Sequence, residues 1–123
     1  MNEDVALLAR RILDELSASA EIRDLTIKHM RFLMRIAEAE ERGESARAAD
    51  LAAAMGLQPS NASRIVSDLS GHSKRLPEPL IRVEIDAENR RHRLLSLTAA
   101  ARRLRNRNKA AIAAIVSEIF EIG

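Results

Sequence analysis

The spacing of apolar residues changes character over one short interval of this chain. Through the first part they recur at helical spacing, over residues 81–97 they alternate with polar residues, and after Thr98 the helical spacing returns. A chain with one brief period-two interval between helical stretches folds as a mainly α protein carrying a small β-hairpin. A sandwich or a doubly wound sheet would need many more alternating runs. Composition agrees. There are 4 Gly, 3 Pro, 2 Phe and no Tyr or Trp in 123 residues, a length that predicts a single domain over 1–123. The content is 46% hydrophobic, enough to bury a core.

Each helical stretch has its own boundary signals. Val5, Leu8, Ile12, Leu13 and Leu16 give an amphipathic helix over 3–18. A second helix runs over 27–42 between the N-cap Thr26 and the stop at Gly43, with a wide apolar face from Ile27, Met30, Leu33, Met34, Ile36 and Ala37. Two short helices follow, over 46–55 and 59–70, joined by a tight turn at Gly56 and Leu57. Pro59 opens the second, and Ala62, Ile65, Val66 and Leu69 form its inner stripe. That pairing is a helix-turn-helix. A loop over 72–79 leads to the hairpin, in which Ile81, Val83 and Ile85 form a half-buried strand paired with a run from Leu94 to Leu97. Thr98 caps a last helix over 99–121, basic in its first half and apolar in its second.

Net charge is only +2, yet it is unevenly spread. Residues 89–109 hold Arg90, Arg91, Arg93, Arg102, Arg103, Arg105, Arg107 and Lys109 and no acid, which suggests a polyanion contact. Positions 102, 103, 105 and 107 do not share one helix face, so more of these arginines are expected to meet solvent or acids of the first two helices. Glu38, Glu40, Glu41 and Glu44 read as solvated surface, and Asp68 as a partner for an arginine. There is no cysteine, which excludes disulfides and Cys-ligated zinc. His29, His72 and His92 are scattered over a helix, a loop and the hairpin, so no metal site and no cofactor are expected. With no phosphate loop, no HExxH pair and no nucleophile elbow, no enzyme is expected either. No apolar run approaches the roughly 20 residues of a membrane helix, and the N-terminus opens acidic, unlike a secretory signal. The expected location is cytoplasmic, with no membrane partner.

Helix, helix, helix-turn-helix, two-stranded wing, helix is the winged-helix order, and particular residues sharpen it. Asp50-Leu51-Ala52, Met55-Gly56-Leu57 and the run Pro59 to Val66 with Leu69 resemble the helix-turn-helix of the MarR family of bacterial transcription regulators. Leu80-Ile81-Arg82, Asp86 through Arg91, and Leu95-Ser96-Leu97-Thr98 resemble its wing. The resemblance covers roughly residues 26–105. It implies a winged helix-turn-helix over 26–97 flanked by an N-terminal helix, 3–18, and a C-terminal dimerisation helix, 98–121. Gln58 stands where the family has a small capping residue, Asn89 where it has an acid, and Ala101 where it has a glycine.

Such a domain lays its second helix in the major groove. Asn61 and Arg64 are the expected base readers, since Asn suits adenine and Arg suits guanine. Ser60, Ser63 and Ser67 would position the backbone. The resemblance aligns Arg91 with a wing arginine that enters the minor groove, where Arg90 and Arg93 would serve flanking phosphates. Val5, Leu8, Ile12, Ile112, Ile115, Ile119 and Phe120 are the expected dimer interface, with an intramolecular core as the competing reading. The implied protein is a homodimeric, sequence-specific repressor on a palindromic promoter site. Its alternatives are a plasmid or phage replication or partition protein, and a winged-helix protein-interaction module. The family is commonly released by small aromatic acids or oxidants. Here there is no cysteine to oxidise and no Tyr or Trp to stack a ring, so an unknown small-molecule effector is the form this expectation takes, with any pocket lying between the dimer helices and the winged domain, near Met30, Phe32 and Met34.

Overall fold

The computed structural model of the chain describes residues 2–72 and 76–120. In chain order the elements are α1 (Asn2–Ala18), α2 (Ile27–Glu41), β1 (Ala46–Arg47), α3 (Ala48–Ala54), α4 (Pro59–Ser67), β2 (Ile81–Ile85), β3 (Arg93–Leu97) and α5 (Ala99–Phe120). The fold is mainly helical, with one antiparallel sheet in the order β1-β3-β2. Residues 73–75 of the expected loop, and the expected end of the last helix at residue 121, lie outside the described residues.

The core forms where α2, α4 and the sheet meet the start of α5. Phe32, Ile36, Leu69, Leu80 and Ile81 are its fully buried members, joined by Ile65, Leu95, Leu97, Ala101 and Leu104. The wide face of α2 is explained by this position, since one helix serves both the sheet and α4.

Local chemistry starts and stops the elements as expected at several points. Thr26 caps α2: its Oγ1 accepts from the His29 N–H at 3.3 Å, and the His29 ring accepts from the Thr26 N–H at 3.2 Å. Thr98 caps α5, accepting from the Ala101 N–H at 3.2 Å while donating to the Pro79 carbonyl at 2.8 Å. Gln58 precedes α4 with no side-chain cap, and Pro59 occupies the first turn instead.

Three boundaries differ from expectation. Ala46 and Arg47 are not helical but form β1, pairing with Leu95 and Leu94. Alanine's helix preference is a few tenths of a kcal/mol, and a tertiary ladder overrides it. The second wing strand begins at Arg93, opposite Ile85, rather than at Leu94. Helix α4 ends at Ser67, and a wider π-type turn over Asp68–His72 carries the chain away. Gly71 closes that turn at φ 99°, and a Cβ there would lie 2.8 Å from Pro79 Cγ. Both the left-handed backbone and the close approach exclude a larger residue.

Helix α5 returns along α1 within the same chain. Arg11 Nη2 donates to Glu118 Oε2 at 3.0 Å, and Ser19 Oγ donates to Asn108 Oδ1 at 3.2 Å. Ile115 is buried here, and Leu8, Ile12, Ile112 and Ile119 are half-buried. Part of the stripe expected between subunits is therefore consumed inside the chain. Val5 and Leu13 remain 55% and 59% exposed, and Phe120 is exposed at the end of α5. Among the described residues, no helix is long and apolar enough to cross a membrane.

Candidate nucleic-acid interface

Helix α4 owes its orientation to what it buries. Ala62 and Ile65 face the core, and the Leu57 N–H closes the preceding turn on the Ala52 carbonyl at 2.9 Å. Ser60, Asn61, Ser63, Arg64 and Ser67 are left exposed, all five of the polar residues singled out on this helix. Ser60, Ser63, Arg64 and Ser67 fall on one stripe at 3.6 residues per turn, with Asn61 beside it.

The wing stands next to this stripe. Its turn is closed by short side chains rather than by packing. Asp86 Oδ1 accepts from the Glu88 N–H at 2.9 Å, and Asn89 Oδ1 accepts from the Arg91 N–H at 3.1 Å. The Asp86 N–H donates to the His92 carbonyl at 3.0 Å. Asn89 thus holds the backbone of Arg91. Ile85, expected to be half-buried, is 58% exposed, because the hairpin leaves the core before its tip.

Between α4 and the wing runs a cleft of about 950 Å³. Ser63, Ser67 and Ser70 line one side, Arg91, His92 and Arg93 the other, and Arg47 and His72 also border it. Arg47 Nη2 lies 3.8 Å from Asp86 Oδ2, tying β1 to the wing turn. Arg90 is exposed in the wing turn and does not line the cleft.

The arginines of α4 and the wing differ in partner from those of α5. Among the described residues, no carboxylate lies within salt-bridge distance of Arg64, Arg90, Arg91 or Arg93. The arginines of α5 are all matched: Arg102 and Arg105 with Glu40, Arg103 with Glu78, Arg107 with Glu21. Arg107 Nη2 donates to Glu21 Oε1 at 2.6 Å, and this bond holds the Glu21 carboxyl below the usual carboxylate range.

Two acids behave otherwise than expected. Glu40 is not solvated surface. Its Oε1 accepts from Arg102 Nη2 at 2.8 Å and from the Leu97 N–H at 3.1 Å. The Arg102 hydrogen bond holds its carboxyl below the ordinary range, burial opposes that, and the Leu97 N–H assists. Asp68 meets a histidine rather than an arginine, with its Oδ2 2.8 Å from His29 Nε2. The Thr26 N–H donates to Nδ1, which leaves Nε2 to donate to Asp68. Both contacts join residues distant in sequence and leave no local signature, although His29 at the third position of a Thr-capped helix was a signal for the cap.

Of the residues named for an effector pocket between the dimer helices and the winged domain, Met30 is half-buried. Phe32 is fully buried in the core and Met34 is 59% exposed. The cleft beside the wing, and a smaller one of about 500 Å³ between the end of α1 and α5, are lined by none of the three.

A helix-turn-helix whose second helix lies beside a two-stranded wing, with Arg64, Arg90, Arg91 and Arg93 exposed on those two elements, defines the winged helix-turn-helix class. Comparison with solved structures narrows this. A MarR-like transcriptional regulator from Thermotoga maritima superposes with a TM-score of 0.71 at 16% identity, over 98% of this chain and 79% of that one. A MarR-family transcriptional regulator from Rhodococcus matches at 25% identity and a TM-score of 0.56, over 98% and 81%. The PcaV transcriptional regulator from Streptomyces coelicolor, in complex with its natural ligand, matches at 20% identity and a TM-score of 0.58, over 93% and 76%. No protein-family model matches the chain, and no curated protein matches it in sequence. The chain has the MarR-type winged-helix fold.

Proposed function

We propose that this chain is a DNA-binding transcription regulator that acts as a homodimeric repressor on a palindromic promoter site. The observation that carries the reading is the concave surface between α4 and the wing, where polar side chains of one element face unpaired arginines of the other. In this reading α4 enters the major groove, with Asn61 and Arg64 on base edges and Ser60, Ser63 and Ser67 on the backbone. Arg91 enters the minor groove, and Arg90 and Arg93 hold phosphates on either side. Fold likeness to MarR-family regulators supports this assignment.

Dimerisation is supported by the apolar surface that α1 and α5 leave over after packing on each other, chiefly Val5, Leu13 and Phe120. A two-fold pair would carry two copies of α4 to half-sites about one helical turn apart, roughly 34–36 Å, or a multiple of it. That the PcaV neighbour is complexed with its natural ligand supports an unknown small-molecule effector as a further partner.

The test is a mobility shift on duplex DNA with salt varied, together with sedimentation of the free protein. Phosphate contacts release counterions, so affinity should fall steeply between about 50 and 200 mM salt. Binding that is absent or flat over that range overturns the DNA reading and leaves a protein-interaction module. A footprint at a replication origin instead of a promoter would select a replication or partition role.

A further inference from the structure

Helix α2 touches no part of the cleft, yet both walls of the cleft hang from it. Near its start, His29 Nε2 holds Asp68 at 2.8 Å, just past the C-terminal end of α4. Near its end, Glu40 Oε1 holds the Leu97 N–H at 3.1 Å, at the base of the wing. Eleven residues of helix separate the two attachments, about 16 Å.

The sheet explains why the second attachment exists. Strand β1 pairs Ala46 with Leu95 and Arg47 with Leu94, and then stops. Continued by the same register, Glu44 would stand opposite Leu97. The Glu44 N–H is instead spent on the Ala39 carbonyl at 2.9 Å, in the turn that closes α2. The missing strand residue leaves the Leu97 N–H without a backbone acceptor, and Leu97 is buried. The Glu40 carboxylate takes the place of that residue.

Glu40 is itself held by α5. Arg102 Nη2 and Nε approach its two oxygens at 2.8 and 3.4 Å, and Arg105 Nη1 lies 3.8 Å from Oε2. Arg105 Nη1 is buried and makes no hydrogen bond, so its 3.8 Å approach to this carboxylate is an ion pair without one.

We infer that α2 is the spacer of the DNA face, with Glu40 and His29 as positioning residues that set the wing against the recognition helix. The inference rests on the DNA-binding reading proposed above. Strand β3 runs from the Glu40 attachment to Arg93, four residues or roughly 13 Å away, so a shift at its base is carried to the arginines. Neither Glu40 nor His29 touches DNA in this scheme, and each acts through the element it holds.

Paired substitutions at each attachment separate position from charge. Glu40→Gln and Asp68→Asn keep an oxygen that can accept the bond, whereas Glu40→Ala and Asp68→Ala do not. All four remove one negative charge, so electrostatics alone makes all four bind duplex DNA equally and more tightly than the parent. The spacer instead makes each alanine variant bind about tenfold more weakly than its amide counterpart, the cost of an unmet buried group. Equal affinity within both pairs overturns it.

A second measurement needs no DNA. The chain has no cysteine, so spin labels can be placed on Ala54→Cys and Ala87→Cys, in α3 and in the wing turn, and diluted with unlabelled chain. The label-to-label distance distribution should stay narrow in the amide variants and broaden or shift in the alanine variants that remain folded by circular dichroism. A distribution as narrow as the parent's in a folded Glu40→Ala overturns the spacer; should Glu40→Ala fail to fold, a Glu40→Gln distribution broader than the parent's overturns it. If the parent shows no salt-dependent DNA binding, the DNA reading fails, and the distance measurement still decides whether Glu40 and Asp68 set the wing.

Discussion

Two groups of arginines lie within twenty residues of each other and differ in almost everything but composition. Arg90, Arg91 and Arg93 sit on and beside a hairpin turn, exposed, with no carboxylate partner among the described residues. Arg102, Arg103, Arg105 and Arg107 sit on the first half of α5, each with an acid within reach. A charge count treats residues 89–109 as one basic stripe, but the fold divides it. The wing group is left without carboxylate partners among the described residues, while the α5 group is spent joining α5 to α2, to the segment after α1 and to the loop before β2. In the DNA-binding reading proposed above, the surface offered to a polyanion is therefore the smaller half of the basic run.

The most direct way to break this comparison removes equal charge from each group. R90A/R91A/R93A should weaken duplex binding by at least about 100-fold and flatten the salt slope by roughly two to three, since each lost phosphate contact is worth about 0.9 of slope. R102A/R103A/R107A, with the same loss of charge, should leave the slope near its parent value. Equal effects of the two triples, read by fluorescence anisotropy across a salt series, would show that the division has no consequence.

Smaller effects are expected on α4. Arg64→Ala and Asn61→Ala should each cost about 1–3 kcal/mol at the base pair contacted and relax preference there. Selection from a randomised duplex pool would show the relaxation as a lost position in the consensus. A uniform loss over all sequences would instead make these residues phosphate contacts.

Acid sharpens the comparison from the stability side. The carboxyls of Glu40, Glu21 and Glu118 are lowered in the folded chain by hydrogen bonds to Arg102, Arg107 and Arg11 respectively. Their contribution is complete above the ordinary carboxylate range and is lost as pH falls through the lowered folded values. Urea midpoints should drop between about pH 5 and about pH 3, less so in the α5 triple variant. The wing triple variant should follow the parent curve. The smallest effect belongs to Arg107→Ala, an exposed pair that should cost no more than about 1 kcal/mol in urea denaturation and leave DNA affinity unchanged.

How far the fold was legible follows from where its information lies. Thr26, Gly56, Pro59 and Thr98 act on their immediate neighbours, so the helix starts and the central turn could be read directly. The wing could be read because five residues of alternation are enough to show a period. Strand β1 could not, since two residues carry no period and Ala-Arg favours helix. On the candidate interface, the exposure of Ser60, Asn61, Ser63, Arg64 and Ser67 followed from the buried stripe opposite them. The roles of Glu40 and Asp68 depended on partners 57 and 39 positions distant, which no local pattern encodes. The terminal helices were half legible: their apolar residues were evident, but a second stripe on α1, with Val5 and Leu13 exposed, appears only once Leu8 and Ile12 are seen to be partly covered.

The shortness of β1 has one more consequence. A three-stranded sheet offers two free edges, and a free edge invites a strand from another molecule. On one side the ladder ends after two residues, and the next free amide, that of Leu97, is already occupied by Glu40. On the other side β2 carries Arg82 and Glu84 outward, both exposed. A hairpin that must stand clear of the core to be useful is thereby kept from polymerising with its own kind.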